Sequence, residues 1–310
     1  MSRVLWLMLL LSACATPSLR PAPDKLTRWT KALRDQQPEG VYAAVYKAGP
    51  KRLVFIAAKH ENNDRSPTFQ LIRHAYASFD FDTVIAEGFP TSRGANPPRT
   101  IKYALDSKAG ADGFVEAGEL APTVVGARDE AAELWGGEAD DSQIKALLLA
   151  QGFQAEDLLG FYILRDIPQW IRERKIHNAG DPRLGALVEA ELPRTRVALQ
   201  LPPTVLPGFA DWAAWYRRQN GRPIGQSFVT EETGPLADGD FGTNRIAHAV
   251  SRARAVHLHN LMLDHLKAGR SVLVVFGASH LMIHRAALDH ALGRPCYVGS
   301  ELARAALVCR

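Results

Sequence analysis

Runs of apolar residues along this chain predict a set of strands and helices. Two runs, at 40–49 and 52–59, flank a Gly-Pro turn and predict a hairpin. The segment 66–80 has a serine suited to cap a helix, followed by a proline and an apolar face, so it predicts a helix. The short apolar run 82–89 predicts a buried strand. The last three segments together predict a β-α-β unit, which implies parallel pairing of its two strands.

The rest of the chain shows mainly helical periodicity, interrupted by proline and glycine. Helices are predicted at 25–36, 141–151, 156–176, 183–200, 207–219, 243–268 and 280–291. The apolar run 271–276 and the short segment 296–299 predict two late strands, and the polar, Gly-rich segment 219–241 predicts a long loop. The predicted fold class is therefore α/β: the two end portions form one central sheet, and the middle, about 110–240, is a helical insertion or cap. Residues 25–310 are predicted to form a single domain.

Residues 1–14 have the pattern of a bacterial lipoprotein signal. Arg3 supplies a positive charge, and the apolar stretch 4–11 is too short to span a bilayer as a stable helix. Small residues then precede Cys14, which predicts lipidation of that cysteine; the alternative is an ordinary buried hydrophobic start. Ala15 follows the cysteine and favours the outer membrane, with the protein facing the periplasm and attached to the membrane by its lipid. Residues 15–24 predict a Pro-rich tether.

Composition narrows the choice of partners and compartment. Hydrophobic residues make up 46% of the 310 residues, enough for a sizeable core. The formal net charge is +4, but lysine and arginine are scattered rather than gathered in a basic stripe, which argues against a nucleic-acid partner. If Cys14 is lipidated, Cys296 and Cys309 remain, and an oxidising periplasm allows them to pair. A disulfide is favoured over the alternative of two buried thiols.

Three polar residues follow or end predicted strands, where ligands of α/β sheets usually bind. They are His60, Glu87 and His280. Glu87 closes an apolar run, and a carboxylate there must be solvated, paired or metal-bound because an unpaired buried charge is costly. Two imidazoles and a carboxylate can hold a divalent metal such as Zn, Mn or Co, or can act as an acid-base set without metal. Gly277 lets the chain turn sharply into the next helix, whose first N–H groups favour an anion.

Other charged residues are open to more than one interpretation. Arg254 lies on the predicted helix 243–268 in line with apolar residues. It is either a surface charge or a buried partner of Glu87 or of a substrate oxygen. Four acidic residues are weaker candidates for the site, because loops and turns are normally polar: Glu61, Asp64, Glu138 and Asp240.

Two blocks of the chain, about 52–90 and 243–285, resemble the superfamily of TraB/TIKI-type proteins, ChaN-type lipoproteins and erythromycin esterases. The late segment "SVLVVFGASHL" and its spacing from Arg254 are similar to the TraB/TIKI pattern. The early segment "KHENND" resembles the ChaN-type motif. The chain departs from the pattern at Ala57, where members of the superfamily usually have glycine, and at Leu258, where methionine is common.

The resemblance implies an α/β fold of two related halves and a site built from His60, Glu87, His280 and Arg254. TIKI-type members are metal-dependent peptidases, ChaN-type members bind haem, and the esterases open a macrolide lactone. The leading expectation is a metal-dependent hydrolase of a peptide or small molecule, with the two histidines and Glu87 as metal ligands and Arg254 stabilising the substrate oxygen. The alternatives are a ChaN-like lipoprotein that binds haem or iron without hydrolysis, and a non-catalytic member of the superfamily, which Ala57 favours.

Overall fold

The structure is a computed structural model that describes residues 19–310. The predicted signal segment, Cys14 and the first part of the predicted tether lie outside the described residues. Within them, six strands form one mixed sheet in the order β4-β3-β5-β2-β1-β6. The strands are β1 (Tyr42–Ala48), β2 (Lys51–Ala58), β3 (Thr83–Pro90), β4 (Glu133–Glu138), β5 (Val272–Gly277) and β6 (Tyr297–Gly299).

The predicted hairpin is confirmed, because β1 and β2 pair antiparallel with Tyr42 opposite Ala57. The predicted β-α-β unit is correct in orientation but wrong in direct pairing. Strand β5 lies between β2 and β3 and pairs parallel with both. The five residues from Val272 to Phe276 are apolar and fully buried, which suits a strand in the middle of a parallel sheet. Strands β2, β3 and β5 therefore bring their carboxyl ends to one edge.

Eleven α-helices occur in the described residues. They are α1 (Lys31–Asp35), α2 (Pro67–Ser78), α3 (Pro98–Asp106), α4 (Leu120–Asp129), α5 (Asp141–Ala150), α6 (Ala155–Arg172), α7 (Leu184–Ala198), α8 (Phe209–Asn220), α9 (Gly242–Lys267), α10 (Ala278–Leu292) and α11 (Leu302–Val308). The predicted α/β class is confirmed: α2, α4 and α11 pack on one face of the sheet, and α9 and α10 pack on the other.

Helices α5 to α8 form a second hydrophobic core with the first half of α9. Ile246, Ala247 and Val250 of α9 are buried in this helical core, whereas Leu258 and Met262 are buried against the sheet. One helix thus connects the two cores, and Arg254 lies where its packing changes from one core to the other. The predicted insertion at about 110–240 begins too early, because β4 is an edge strand of the sheet. Gly136 and Gly137 in that strand are atypical of β-structure, so its sequence did not predict it.

The predicted helix 25–36 is wrong for its first half. Only Lys31–Asp35 is α-helical, after a 3-10 turn at Pro23–Lys25. The segment from this turn to α1 bonds to α9 and α10: the N–H of Thr27 donates to Ile283 O, and Arg252 donates to Leu26 O and Pro23 O. These tertiary bonds replace the local ones that a helix needs.

A disulfide joins Cys296 and Cys309, as the sequence favours. It ties β6 and α11 at the end of the chain together. Among residues 19–310, no helix combines the length and the apolar character needed to cross a bilayer.

Candidate functional site

The structure brings His60, Glu87, His280 and Arg254 together at the edge where three parallel strands end. His60 Nε2 lies 3.8 Å from one carboxylate oxygen of Glu87, and His280 Nε2 lies 3.8 Å from the other. Arg254 Nη2 donates to Glu87 Oε1 at 2.6 Å. The two histidines, 220 positions apart in the sequence numbering, meet because β2 and β5 are paired neighbours whose last residues, Ala58 and Gly277, lie opposite each other.

Glu87 is held ionised by its surroundings. Burial raises the pKa of this carboxyl, but the charges of His60 and Arg254 and the N–H of Gly277 outweigh it, so the pKa lies well below its usual range. The Gly277 N–H donates to Glu87 Oε2 at 2.7 Å. Since α10 begins at the next residue, the anion at this helix N-terminus is the Glu87 carboxylate itself.

Gly277 ends a buried strand because there is no room for a side chain. A Cβ built at this position would lie 2.8 Å from His60 Nε2 and 3.4 Å from Glu87 Oε2. The absence of a side chain at Gly277 therefore allows the first imidazole to lie against the end of β5.

His60 is fixed by a second carboxylate that the sequence did not single out. Its Nδ1 lies 2.5 Å from Oε1 of Glu119, the residue that precedes α4. Loss of surrounding water lowers the pKa of His60, but the bond to Glu119 and the charges of Glu87 and Glu119 outweigh this and raise it to about 9. The imidazole faces the cavity with 42% of its side chain exposed.

His280 differs from His60 in both burial and charge. Only 6% of its side chain is exposed, and burial lowers its pKa to about 3, against the opposing charge of Glu87. The imidazole is therefore neutral at physiological pH. The backbone carbonyl oxygen of His280 lies 2.7 Å from Nδ1 of His284, a residue one turn further along α10.

Arg254 is buried between two carboxylates, so its interpretation as a surface charge is wrong. Besides Glu87, it contacts both oxygens of Glu138 through Nε and Nη2. Burial lowers the pKa of the guanidinium, but Glu138 and Glu87 outweigh it and keep the group charged. Among the described residues, Nη1 has no hydrogen-bond partner. Arg254 also lines the cavity, so this nitrogen is the donor left for a ligand.

A cavity of about 510 Å³ opens above this cluster. Its floor is formed by the four predicted residues and its far wall by one face of α6, including Arg165, Asp166, Gln169 and Arg172. Asp166 lies on that wall with its pKa raised to about 7, mainly by burial. The cavity thus joins the sheet edge to the helical core.

Of the four weaker acidic candidates, only Glu138 belongs to the cluster. Glu61 lines a neighbouring cavity, Asp64 lies near Gly113, and Asp240 forms an exposed ion pair with Lys31. Glu138 is the last residue of β4, and Glu87 lies in β3 just after Ala86, the last residue of that strand that pairs with β5. Recognition of β4 would have identified it, whereas Glu119 has no comparable signal in the sequence.

The donor types at the cluster fit a divalent metal, and the residues that would hold one are His60, Glu87 and His280. The bond from Glu119 to the second nitrogen of His60 is typical of a metal-binding histidine. As they stand, residues 19–310 contain no group of three or more His, Cys, Asp or Glu side chains close enough to enclose an ion. The metal stays a prediction.

Comparison of the chain with protein-family models, with curated proteins and with solved structures finds no match. The assignment of chemistry to this site therefore depends on the geometry of its own residues.

Proposed function

We propose that this protein is a hydrolase that uses a divalent metal held by His60, Glu87 and His280. The observation that carries the proposal is the approach of two imidazole Nε2 atoms to the two oxygens of one carboxylate, each at 3.8 Å. The arrangement supplies nitrogen and oxygen donors that face one another at the floor of a cavity.

A divalent metal bound in such a site would act as a Lewis acid and would lower the pKa of a bound water molecule to near neutrality. The protein's own side chains orient the groups of the site and set their charges. Glu119 orients His60 by bonding its Nδ1, and Glu87 stays ionised beside Arg254. Arg254 offers Nη1 to the negative charge that develops on a substrate carbonyl oxygen during attack by water. Hydrolysis of an amide or ester carbonyl fits this set of groups best.

From the same residues we also propose that the chain belongs to the TraB/TIKI-type branch. The support for this proposal is the spacing of Arg254 from His280 and the burial of that arginine beside Glu87. We also propose a periplasm-facing lipoprotein of the outer membrane, anchored through Cys14. The disulfide between Cys296 and Cys309 supports an oxidising compartment.

The alternative of a haem-binding lipoprotein is less favoured by the geometry around His60. Its Nδ1 is bonded to Glu119, and its Nε2 faces Glu87 and the backbone of Gly277. A flat macrocycle needs an open approach to an axial nitrogen, whereas a single small ion fits between two side chains. Adding haem and recording the visible spectrum separates the alternatives: a sharp ligated band that is lost with His60→Ala favours haem binding.

The proposed activity is tested with a panel of chromogenic esters and peptides and the purified chain. The informative variant is His60→Ala, and the matched control is His290→Ala, an exposed histidine on α10 outside the cavity. Hydrolysis that depends on added zinc, manganese or cobalt, is lost in His60→Ala and survives in His290→Ala supports the proposal. Equal rates in the wild type and His60→Ala refute it.

A further inference from the structure

A second cavity, of about 530 Å³, adjoins the first and has a different lining. Three arginines line it: Arg65, Arg172 and Arg174. Glu61 is the one carboxylate among its lining residues, so arginines outnumber carboxylates in the lining. Guanidinium groups are suited to planar anions such as carboxylates and phosphates, which they bind through paired hydrogen bonds.

Of these three arginines, Arg172 has neither a hydrogen-bond partner nor an ion-pair partner within residues 19–310. By contrast, Arg174 lies 2.7 Å from Asp112 and stacks over Phe114 with its guanidinium carbon 4.3 Å from the ring centre. Arg65 lies 4.0 Å from Asp64. Arg172 ends α6 and is exposed, so its charge is directed to the cavities rather than used in packing.

The position of Arg172 links the two cavities. Both Arg172 and His60 line the first cavity as well as the second. A single molecule lying along His60 therefore has one end at Glu87 and Arg254 and the other among the arginines. Ser66 and Pro67 at the start of α2 also line the second cavity, and the positive end of that helix dipole adds to its attraction for an anion.

We propose that the second cavity binds an anionic group of the substrate, a carboxylate or a phosphate, through Arg172 with Arg65 and Arg174, while the bond to be broken lies at Glu87. The part of this inference that concerns the substrate rests on the proposed hydrolase activity. The anion site itself depends only on the second cavity. The substrate class is then a carbonyl compound that carries a negative charge near the scissile bond.

The binding half of the inference is tested without any hydrolysis. The probes are inorganic phosphate and acetate, titrated by calorimetry into the wild type, Arg172→Gln and the control Arg217→Gln. Arg217 is an exposed arginine of α8 that lines neither cavity. Because a hydrogen bond to a charged group is worth about 1.5–3 kcal/mol, Arg172→Gln is expected to weaken binding by about tenfold or more. The preferred probe identifies the anion; binding that Arg172→Gln leaves unchanged, or that neither probe shows, overturns the site.

The substrate half is tested with three p-nitrophenyl esters of equal length that end in a methyl ester, a carboxylate or a phosphate. The expected result is that Arg172→Gln raises KM for a charged ester about tenfold more than it raises KM for the neutral ester. Equal losses on all three esters mean a structural effect and overturn the inference. If His60→Ala has no effect on any ester although phosphate or acetate binding requires Arg172, the hydrolase proposal fails and the anion site stands.

Discussion

Arg254 and Glu87 form a buried ion pair, with Nη2 2.6 Å from Oε1, and a second carboxylate, Glu138, shares the same guanidinium. The arginine comes from the helix that joins the two hydrophobic cores, Glu138 ends β4, and Glu87 lies in the second half of the neighbouring strand β3. The pair therefore ties the helical core to the sheet edge at the point where the chemistry is proposed.

Removal of Arg254 is expected to destabilise the fold. Arg254→Met leaves two buried carboxylates without their cation, and breaking a buried pair costs about 3–5 kcal/mol. Urea unfolding of the variant measures the loss in the free energy of unfolding. Arg217→Met, at an exposed position, is expected to change it by about 0.5 kcal/mol or less. Similar values for the two variants would show that the ion pair contributes little.

A methyl group at Gly277 is expected to displace His60 without unfolding the protein. The added Cβ would lie 2.8 Å from His60 Nε2. Because misplacement of a reacting group by about 1 Å costs about a hundredfold in rate, Gly277→Ala should lower kcat by about that factor. Gly225→Ala is the matched control, since a Cβ there meets nothing within 4 Å. Full activity in Gly277→Ala would contradict the placement of His60 in the reacting cluster.

The charge of His60 is expected to depend on Glu119. In the metal-free protein, NMR titration should give His60 a midpoint near 9, and Glu119→Gln should lower that midpoint toward 6.5. Since the pKa is raised in the folded state, its contribution to stability is complete below pH 6.5 and is lost as the pH rises through 9. Glu116→Gln is the control, because Glu116 lines the same cavity without bonding His60. An unchanged midpoint in Glu119→Gln would remove Glu119 from its positioning role.

Asp166 is expected to make the protein less stable at high pH. Burial raises the pKa of this carboxyl from 3.8 to about 7, so its favourable contribution is complete below pH 3.8 and is lost as the pH rises through 7. Asp166→Asn should therefore be more stable than the wild type by about 1 kcal/mol at pH 8, with the gap closing toward pH 4. Unfolding by urea at the two pH values measures it; a gap that does not vary with pH contradicts the assignment.

The sequence predicts those residues of the site that stand at the end of a continuous apolar run. His60, Glu87 and His280 each follow or end such a run, and parallel pairing brings the ends of those runs together. Glu138 is obscured because Gly136 and Gly137 interrupt the pattern of β4. A Cβ at Gly137 would lie 2.4 Å from the ring of Phe276, so the glycine is required by packing between strands.

Long-range contacts account for the other differences. The contact of Glu119 with His60 joins positions 59 apart, and no local pattern indicates it. The segment after Pro23 has helical character in the sequence, yet Arg252 and Ile283 take its hydrogen bonds. In both cases a tertiary partner, rather than a local preference, determines the conformation or the role of the residue.

The metal content of the purified chain tests the central claim most directly. After exchange against zinc, manganese or cobalt and removal of loosely bound ions, elemental analysis should find about one divalent ion per chain in the wild type and in His290→Ala, and almost none in His60→Ala. Wild-type protein that retains no divalent metal, or a His60→Ala variant that retains as much as the wild type, would contradict the account.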